Sequence, residues 1–188
     1  MPKIDKEHLE IYFERGIDFV GRNIFIADIE SKQINDIIKG IYALNQLSSD
    51  PINLIVNSMG GEIYGAFAIY DCLQSIANPI NTYAIGTVFS VSPLLVACGT
   101  KGHRWAAPNC SFMCHQGTVG DLSDRLESVE SNIKHEKHLS ITWCDLMAAH
   151  TKMSSKQWSR LCSKVNDTYF DSEQAIEYGI VDFIWQEK

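Results

Sequence analysis

Ser90 stands where an apolar, strand-like segment gives way to a short helical one, within the stretch from Ile85 to Pro93. Proline is favoured in the first turn of a helix, so Pro93 indicates that a helix starts just after the serine. The unpaired backbone N–H groups at such a start, including that of Val91, can stabilise an oxyanion formed beside Ser90. This pattern fits a serine nucleophile, but it also fits a serine that only caps the helix.

Three other segments carry residue types that serve the same chemistry. The segment from Asn57 to Gly61 ends a buried strand with two glycines. Their backbone N–H groups could line an oxyanion hole, or the glycines could simply allow a turn that needs positive φ. His115 ends an apolar strand, either as a general base or as a structural histidine. Asp167 precedes an aromatic pair, where an acid can also be a turn or cap residue. Each segment taken alone leaves both interpretations open.

The alternation of hydrophobic periods predicts the elements that must hold these residues. Strands are expected at residues 23–29, 52–56, 80–85, 103–107, 111–114 and 180–185. Helices are expected at residues 31–47, 64–76, 93–98, 122–147, 154–165 and 172–178. Ser31 and Ser154 are the expected caps of two of these helices, and Gly179 is the expected left-handed residue after another. The β-α-β-α order predicts an α/β fold.

Composition argues against several classes of protein. The chain has 188 residues, 45% hydrophobic and 21% charged, which fits one globular domain. Its formal net charge of -7, with both signs interspersed, argues against nucleic acid as a partner. The apolar runs are too short to cross a membrane, and the first fifteen residues do not read as a secretory signal. With six cysteines mostly in apolar stretches, these features predict a reduced, cytoplasmic location.

The order and spacing of the four candidate segments resemble the ClpP family, the proteolytic subunits of Clp proteases. Family members carry Asn-Ser-x-Gly-Gly, Gly-x-x-x-Ser and Pro-Asn-x-x-x-Met-x-His-Gln, which stand here at Asn57 to Gly61, Gly86 to Ser90, and Pro108 to Gln116. The tail from Asp167 to Asp182 is similar to the family's ending, Asp-x-Phe followed by Glu/Gln-Ala-x-x-Tyr-Gly and a final Asp. The resemblance spans about residues 23–185.

This resemblance implies a role for each candidate residue. Ser90 would be the nucleophile, and His115 the general base that later protonates the leaving amine. Asp167 would orient the imidazole and stabilise its charged form. The backbone N–H groups of Gly61 and Val91 would hold the tetrahedral oxyanion. The activity implied is that of a serine endopeptidase acting on unfolded polypeptides, with no cofactor.

The resemblance also implies an architecture and partners. The fold would be a single ClpP-like peptidase domain over residues 1–188, a crotonase-like spiral of β-β-α units with a protruding long handle helix in residues 121–150. Residues 1–22 would be the axial segment. The family forms heptameric rings that pair, through the handles, into a double-ring tetradecamer around a closed chamber. A hexameric AAA+ ATP-driven unfoldase of Clp type would feed this homo-oligomer.

The family's docking pocket for the unfoldase would fall on five apolar residues, which core packing could also explain: Ile55, Tyr83, Ile85, Trp105 and Trp185. The chain departs from the family pattern at several positions. These are Met59 and Gly117, where proline is usual, Ser92-Pro93, where small residues are usual, Asn166, where arginine is usual, and the start of the handle at Gly120 to Asp124. Substrate-cleft shape and ring pairing are the properties that these departures would change.

Three alternatives remain open from the sequence. A coenzyme-A-thioester hydratase or isomerase of the crotonase group would share the glycine-built oxyanion hole, but it would not need a Ser, His and Asp set. A non-catalytic ClpP-like ring subunit would be expected to lose one of those three residues. A metal site could use Cys110, Cys114 and His115, or His135 and His138. Neither set has the spacing of a known zinc motif, so no metal is expected.

Overall fold

The computed structural model of the protein describes residues 6–117, 126–163 and 166–185. The helices are α1 (Lys6–Arg15), α2 (Ser31–Leu47), α3 (Ile63–Ser75), α4 (Ser92–Ala97), α5 (Leu126–His150), α6 (Ser155–Cys162) and α7 (Ser172–Tyr178). The strands are β1 (Ile17–Asp18), β2 (Asn23–Ile26), β3 (Ile52–Ser58), β4 (Ile80–Phe89), β5 (Arg104–Ala106), β6 (Ser111–Cys114), β7 (Thr168–Phe170) and β8 (Phe183–Ile184).

The eight strands form one mostly parallel sheet, in the order β1-β2-β3-β4-β5-β8. Strand β4 is ten residues long and has two partners on the same side. Its first half pairs with β5 through Thr82 to Ala84, and its last three residues pair with β6. Gly86, with a φ of +62°, lies between these two stretches. The sheet therefore forks at β4, and β6 carries β7 as an antiparallel edge strand.

One face of the sheet packs against helices α2, α3 and α4 in the core, which also includes buried side chains of α5, α6 and α7. Alternate residues of β3 are buried there, including Leu54 and Val56, together with Leu94 and Leu95 of α4. Complete burial of one such side chain stabilises the fold by about 1.5–3 kcal/mol. The mixed α/β class predicted from the sequence is confirmed. Among the helices within the described ranges, none is long and apolar enough to cross a membrane.

Several predicted elements agree closely with the structure. Helices α2 and α7 and strand β6 have the predicted bounds. Ser154 caps α6 in a capping box with Gln157, as expected. Gly179 has a φ of +82° after α7. The prediction for Ser31 was wrong: Glu30 occupies the cap position of α2, and the Ser31 hydroxyl donates a hydrogen bond to the Glu62 carboxylate.

Other elements differ in length from the prediction. Strand β4 continues past Gly86 to Phe89, because a glycine with positive φ bends the strand without ending it. The long helix runs from Leu126 to His150, while residues 118–125 lie outside the described part of the chain. Elements α1, β1 and β7 were not predicted. The two strands have only two and three residues, which is too short for a period to be recognised.

Candidate active site

Ser90 and His115 are brought together by the pairing of β4 with β6. The two strands are parallel, with Phe89 opposite Met113, so both lead into the site at the same edge of the sheet. The Ser90 N–H donates a hydrogen bond to the Met113 carbonyl at 2.9 Å. The Ser90 Oγ lies 2.8 Å from Nε2 of His115. This is the distance at which an imidazole can take the proton of an attacking hydroxyl.

Ser90 has a backbone conformation that is unusual for its residue type. Its φ is +61°, in the left-handed region, which costs a non-glycine residue on the order of 1–3 kcal/mol. The cap position of α4 is occupied by Val91, and no side chain caps this helix. The capping interpretation of Ser90 is therefore wrong, and the sharp turn leaves its side chain available to His115.

Asp167 directly precedes β7, the partner of the strand that His115 follows, but its side chain is not bonded to the imidazole. Strands β6 and β7 are antiparallel with Cys114 opposite Thr168, so the same register continued by one residue aligns His115 with Asp167. Asp167 is exposed, and the Tyr169 hydroxyl donates a hydrogen bond to it at 3.4 Å. No hydrogen bond joins Asp167 to His115 among the described residues. The role expected for this acid stays a prediction.

The glycine pair lies directly against Ser90. A Cβ atom on Gly60 would lie 2.6 Å from the Cβ of Ser90, and one on Gly61 would lie 2.2 Å from the Ile29 carbonyl oxygen. The φ angles of the two glycines are +104° and +139°. Close approach and backbone conformation thus both require glycine here. The Gly60 carbonyl accepts from the Ile29 N–H at 2.7 Å, which ties the turn to the residues after β2.

The two predicted oxyanion donors are free in the described structure. The N–H groups of Gly61 and Val91 donate no hydrogen bond to any residue in the described ranges, whereas the neighbouring Ser90 and Glu62 N–H groups are both paired. Donors left unpaired beside a nucleophile are what an oxyanion hole requires. Their assignment to the oxyanion remains a prediction.

A cavity of about 320 Å³ opens beside Ser90 and His115. Its other walls come largely from α5 and α6, and they include Ile63, Lys137, Ile141, Trp143, Cys144 and Cys162. A cleft of this size, mostly apolar with a few polar groups, is suited to holding a substrate side chain.

The two cysteines of this cavity are poor nucleophiles. A hydrogen bond with Cys114, together with burial, raises the pKa of the Cys162 thiol to about 12. A hydrogen bond with Cys162 and burial also raise the pKa of Cys144. Since the thiolate is the reactive form of cysteine, both groups stay protonated and unreactive at neutral pH. Among the described residues, neither thiol has a base of the kind that His115 provides for the Ser90 hydroxyl at 2.8 Å.

The candidate metal ligands are not gathered into a site. Within the described ranges, no three His, Cys, Asp or Glu side chains are arranged to hold a metal ion. His135 instead contacts the hydroxyl of Tyr64, and Cys110 is a buried thiol.

The five residues predicted to dock a partner form one partly exposed patch. Ile55, Tyr83 and Trp105 lie side by side on β3, β4 and β5, on the sheet face opposite the core. Tyr83 stacks on Trp105 with ring centroids 5.2 Å apart, and Trp185 lies 6.2 Å from Tyr83. Ile85 lies on the same face as Tyr83. None of the five residues belongs to the buried core, so core packing does not account for these apolar side chains. We call these five residues the aromatic patch.

The chain is similar to known proteins over most of its length. A family model described as Clp protease matches residues 16–188. The ATP-dependent Clp protease proteolytic subunit 1 of Thermobifida fusca is 37% identical over 175 residues, covering 90% of this chain and 74% of that protein. The ATP-dependent Clp protease proteolytic subunit of Deinococcus radiodurans is 31% identical over 163 residues, covering 86% and 78%. Subunit 2 of Corynebacterium jeikeium is 30% identical over 174 residues, covering 92% and 80%.

The chain belongs to the Clp protease family. It is a serine peptidase of the proteolytic-subunit type, as the four motifs predict, and the coenzyme-A-thioester alternative is not favoured. The mixed α/β fold with a mostly parallel sheet is consistent with the ClpP-type fold that the resemblance implies.

Three polar residues beside the site of this Clp protease family member were not predicted to contribute to it. The Asn57 side chain accepts a hydrogen bond from the Thr87 N–H at 3.1 Å, which holds the bend of β4 against β3. Ser58 and Ser92 are buried and hydrogen bonded to each other at 2.9 Å. One signal was present in the sequence: Ser58 continues the buried alternation of β3, and a buried hydroxyl requires a partner.

Proposed function

We propose that Ser90 and His115 are the nucleophile and general base of this peptidase, with Asp167 as the acid that supports the base. The observation that carries the proposal is the 2.8 Å separation of Ser90 Oγ and His115 Nε2 at the edge of a cavity. A serine hydroxyl is a weak nucleophile near neutral pH until a base at this distance takes its proton.

The reaction would proceed in two halves. Ser90 Oγ attacks the peptide carbonyl carbon while His115 takes the hydroxyl proton, and the N–H groups of Gly61 and Val91 bind the resulting oxyanion. The C–N bond then breaks, and His115 passes the proton to the leaving amine. A water molecule attacks the acyl-Ser90 ester with His115 again as base, which releases the new carboxyl group and restores Ser90.

Asp167 would act by holding the imidazole. A carboxylate beside His115 favours the tautomer that leaves Nε2 free to accept the serine proton, and it stabilises the imidazolium that follows. The register of β6 and β7 supports this role, since the same register continued by one residue would align Asp167 with His115. The exposed carboxylate would have to turn toward His115 to reach it.

The test is hydrolysis of a short fluorogenic peptide by the full chain. Ser90→Ala is expected to reduce activity to the level of the buffer, because no other group in the described cavity is activated as Ser90 is. Ser131→Ala, which removes an exposed serine of α5 outside the cavity, serves as the control and is expected to keep full activity. Equal activity in Ser90→Ala and the unaltered chain would show that the nucleophile lies elsewhere.

We further propose that the chain assembles into heptameric rings, paired as a tetradecamer that encloses the site and degrades unfolded polypeptides. The relatives are named as proteolytic subunits, which supports assembly with other chains. Light scattering on the purified protein would distinguish fourteen chains from seven or one. A stable monomer that hydrolyses peptides at full rate would contradict this proposal.

The aromatic patch would be the surface on which an ATP-driven AAA+ unfoldase of Clp type docks. The relatives are named as subunits of ATP-dependent proteases, and the patch exposes apolar side chains that the core does not use. Tyr83→Ala is expected to abolish ATP-dependent protein degradation with a purified unfoldase while keeping peptide hydrolysis. Tyr42→Ala, at an exposed tyrosine of α2, is the control. Degradation that is unaffected by Tyr83→Ala would rule out the aromatic patch as the docking surface.

A cytoplasmic location also belongs to the proposal. All six cysteines are free and buried, which suits a reducing compartment. Localisation of a tagged chain in fractionated cells would test this, and recovery outside the cytoplasm would contradict it.

A further inference from the structure

The glycine turn beside Ser90 is joined to the helix after Ser90 by two buried hydroxyls. Ser92 Oγ donates a hydrogen bond to Ser58 Oγ at 2.9 Å. Ser58 Oγ in turn accepts from the Gly60 N–H at 3.1 Å. Ser58 is 1% exposed and Ser92 is fully buried, so both hydroxyls are shielded from bulk solvent.

This connection runs between the two backbone segments that carry the candidate oxyanion donors. Gly60 precedes Gly61 in the turn, and Ser92 follows Val91 at the start of α4. Gly60 also packs closely on Ser90, where an added Cβ would approach the Ser90 Cβ to 2.6 Å. A shift of the turn relative to α4 would therefore change the spacing of both donors around the reacting carbonyl.

We propose that Ser58 and Ser92 are positioning residues for peptide hydrolysis, because their hydrogen bond fixes the N–H groups of Gly61 and Val91 relative to each other. The inference rests on the proposed function of Ser90. It adds that the fit to the tetrahedral oxyanion depends on a hydroxyl pair that does not touch the substrate. A hydrogen bond suits this task because it restricts both distance and angle, which an apolar contact does not.

The expected effect is mainly on kcat. Loss of a complete oxyanion donor lowers kcat by about 10²- to 10³-fold, so a displaced donor should cost less. Ser92→Ala is expected to lower kcat by roughly tenfold while KM stays within about twofold, since the interaction is realised in the transition state. Ser58→Ala should have the larger effect, because the Gly60 N–H then loses its acceptor as well.

Thr82 provides a matched control. It is also completely buried, and its hydroxyl donates to the Val96 carbonyl of α4 at 3.0 Å. Thr82→Val therefore removes a buried hydrogen bond to the same helix without touching the glycine turn. A merely structural role for Ser92 predicts that Ser92→Ala and Thr82→Val behave alike, with a lower thermal midpoint and an unchanged kcat.

The experiment measures kcat, KM and thermal midpoint for each variant with a fluorogenic peptide, and inhibition by a peptide aldehyde that forms a tetrahedral adduct with the serine. We expect aldehyde affinity to fall with kcat in Ser92→Ala and to be unchanged in Thr82→Val. Ser92→Cys, which keeps a weaker donor, should give an intermediate kcat. The double variant Ser58→Ala/Ser92→Ala should lose no more than Ser58→Ala, since the two act as one unit.

Two results would overturn the inference. One is a Ser92→Ala enzyme with a lowered thermal midpoint but the kcat and aldehyde affinity of the unaltered chain. The other is a double variant in which the two losses multiply. If Ser90→Ala keeps full activity, the proposed function itself fails. If Ser90→Ala is inactive and Ser92→Ala keeps its kcat, the nucleophile stands and the positioning role fails.

Discussion

The two ends of the candidate triad are held in different ways. Ser90 and His115 follow strands that pair directly, and their side chains already meet at 2.8 Å. Asp167 precedes a three-residue edge strand, is exposed, and has the Tyr169 hydroxyl as its hydrogen-bond donor in the described structure. Direct strand pairing thus brings the proposed nucleophile and base within hydrogen-bond distance, whereas the proposed acid makes its hydrogen bond away from His115.

The largest effect is expected when either end of the triad is removed. His115→Ala should lower kcat by about 10⁶-fold and Asp167→Ala by about 10⁴-fold, because the base acts on the reacting proton and the acid acts only through the base. The measurement is kcat for a fluorogenic peptide. His103→Ala, which removes an exposed histidine bonded to Asn81, is the control and should keep full activity. Equal losses of kcat in His115→Ala and Asp167→Ala would contradict the view that the acid acts only through the base.

A smaller effect is expected from the glycine turn on the nucleophile side. Gly60→Ala places a Cβ 2.6 Å from that of Ser90, and we expect kcat to fall by about 10²- to 10³-fold through a misplaced oxyanion donor. Gly102→Ala is the matched control, because Gly102 also has positive φ but has no atom within 4 Å of an added Cβ. Both substitutions should destabilise the fold by about 1–2 kcal/mol through the positive-φ backbone, and Gly60→Ala should destabilise it further through its close contact with Ser90.

Kinetic and thermal measurements together separate these two causes. A Gly102→Ala enzyme with full kcat and a lowered melting midpoint would show that backbone strain alone does not impair catalysis. If both glycine variants lose kcat equally, close packing on Ser90 is not what matters at Gly60.

The smallest effect is expected on the acid side, from the hydroxyl of Tyr169. Tyr169→Phe removes the 3.4 Å hydrogen bond to Asp167 and keeps the ring, which packs edge-on against Phe89 at 5.6 Å. A long, exposed hydrogen bond contributes little, so kcat should change by less than about twofold. Peptide hydrolysis across a range of pH would check this. A loss as large as that of Asp167→Ala would show that the tyrosine holds the acid in place.

Sequence patterns predicted much of the fold where periods are long or caps are specific. Helix α2 spans seventeen residues with a clear apolar stripe. Helix α7 is followed by Gly179, and glycine is the residue type that most readily adopts the left-handed conformation found there. The same patterns missed β7, whose three residues are too few for a period, and the extension of β4 beyond Gly86. Short elements of this kind are determined by strand pairing rather than by local sequence.

The sequence predicted which residues belong to the candidate site, but it did not predict the contacts between them. Motif order identified Ser90, His115 and the glycine pair, and the structure brings Ser90 and His115 together and packs the turn on Ser90. The positive φ of Ser90 and the Ser58 to Ser92 hydrogen bond could not be predicted, because both depend on how separate segments meet in space. The side-chain position of Asp167 could not be predicted for the same reason.

Reaction with a fluorophosphonate shows whether His115 activates Ser90 as the nucleophile. The serine oxygen attacks phosphorus and fluoride leaves, so the adduct marks the activated residue, which peptide mass mapping then locates. We expect one adduct, on Ser90, that forms far more slowly in His115→Ala. An adduct on another serine, or peptidase activity lost while Ser90 remains unmodified, would contradict it.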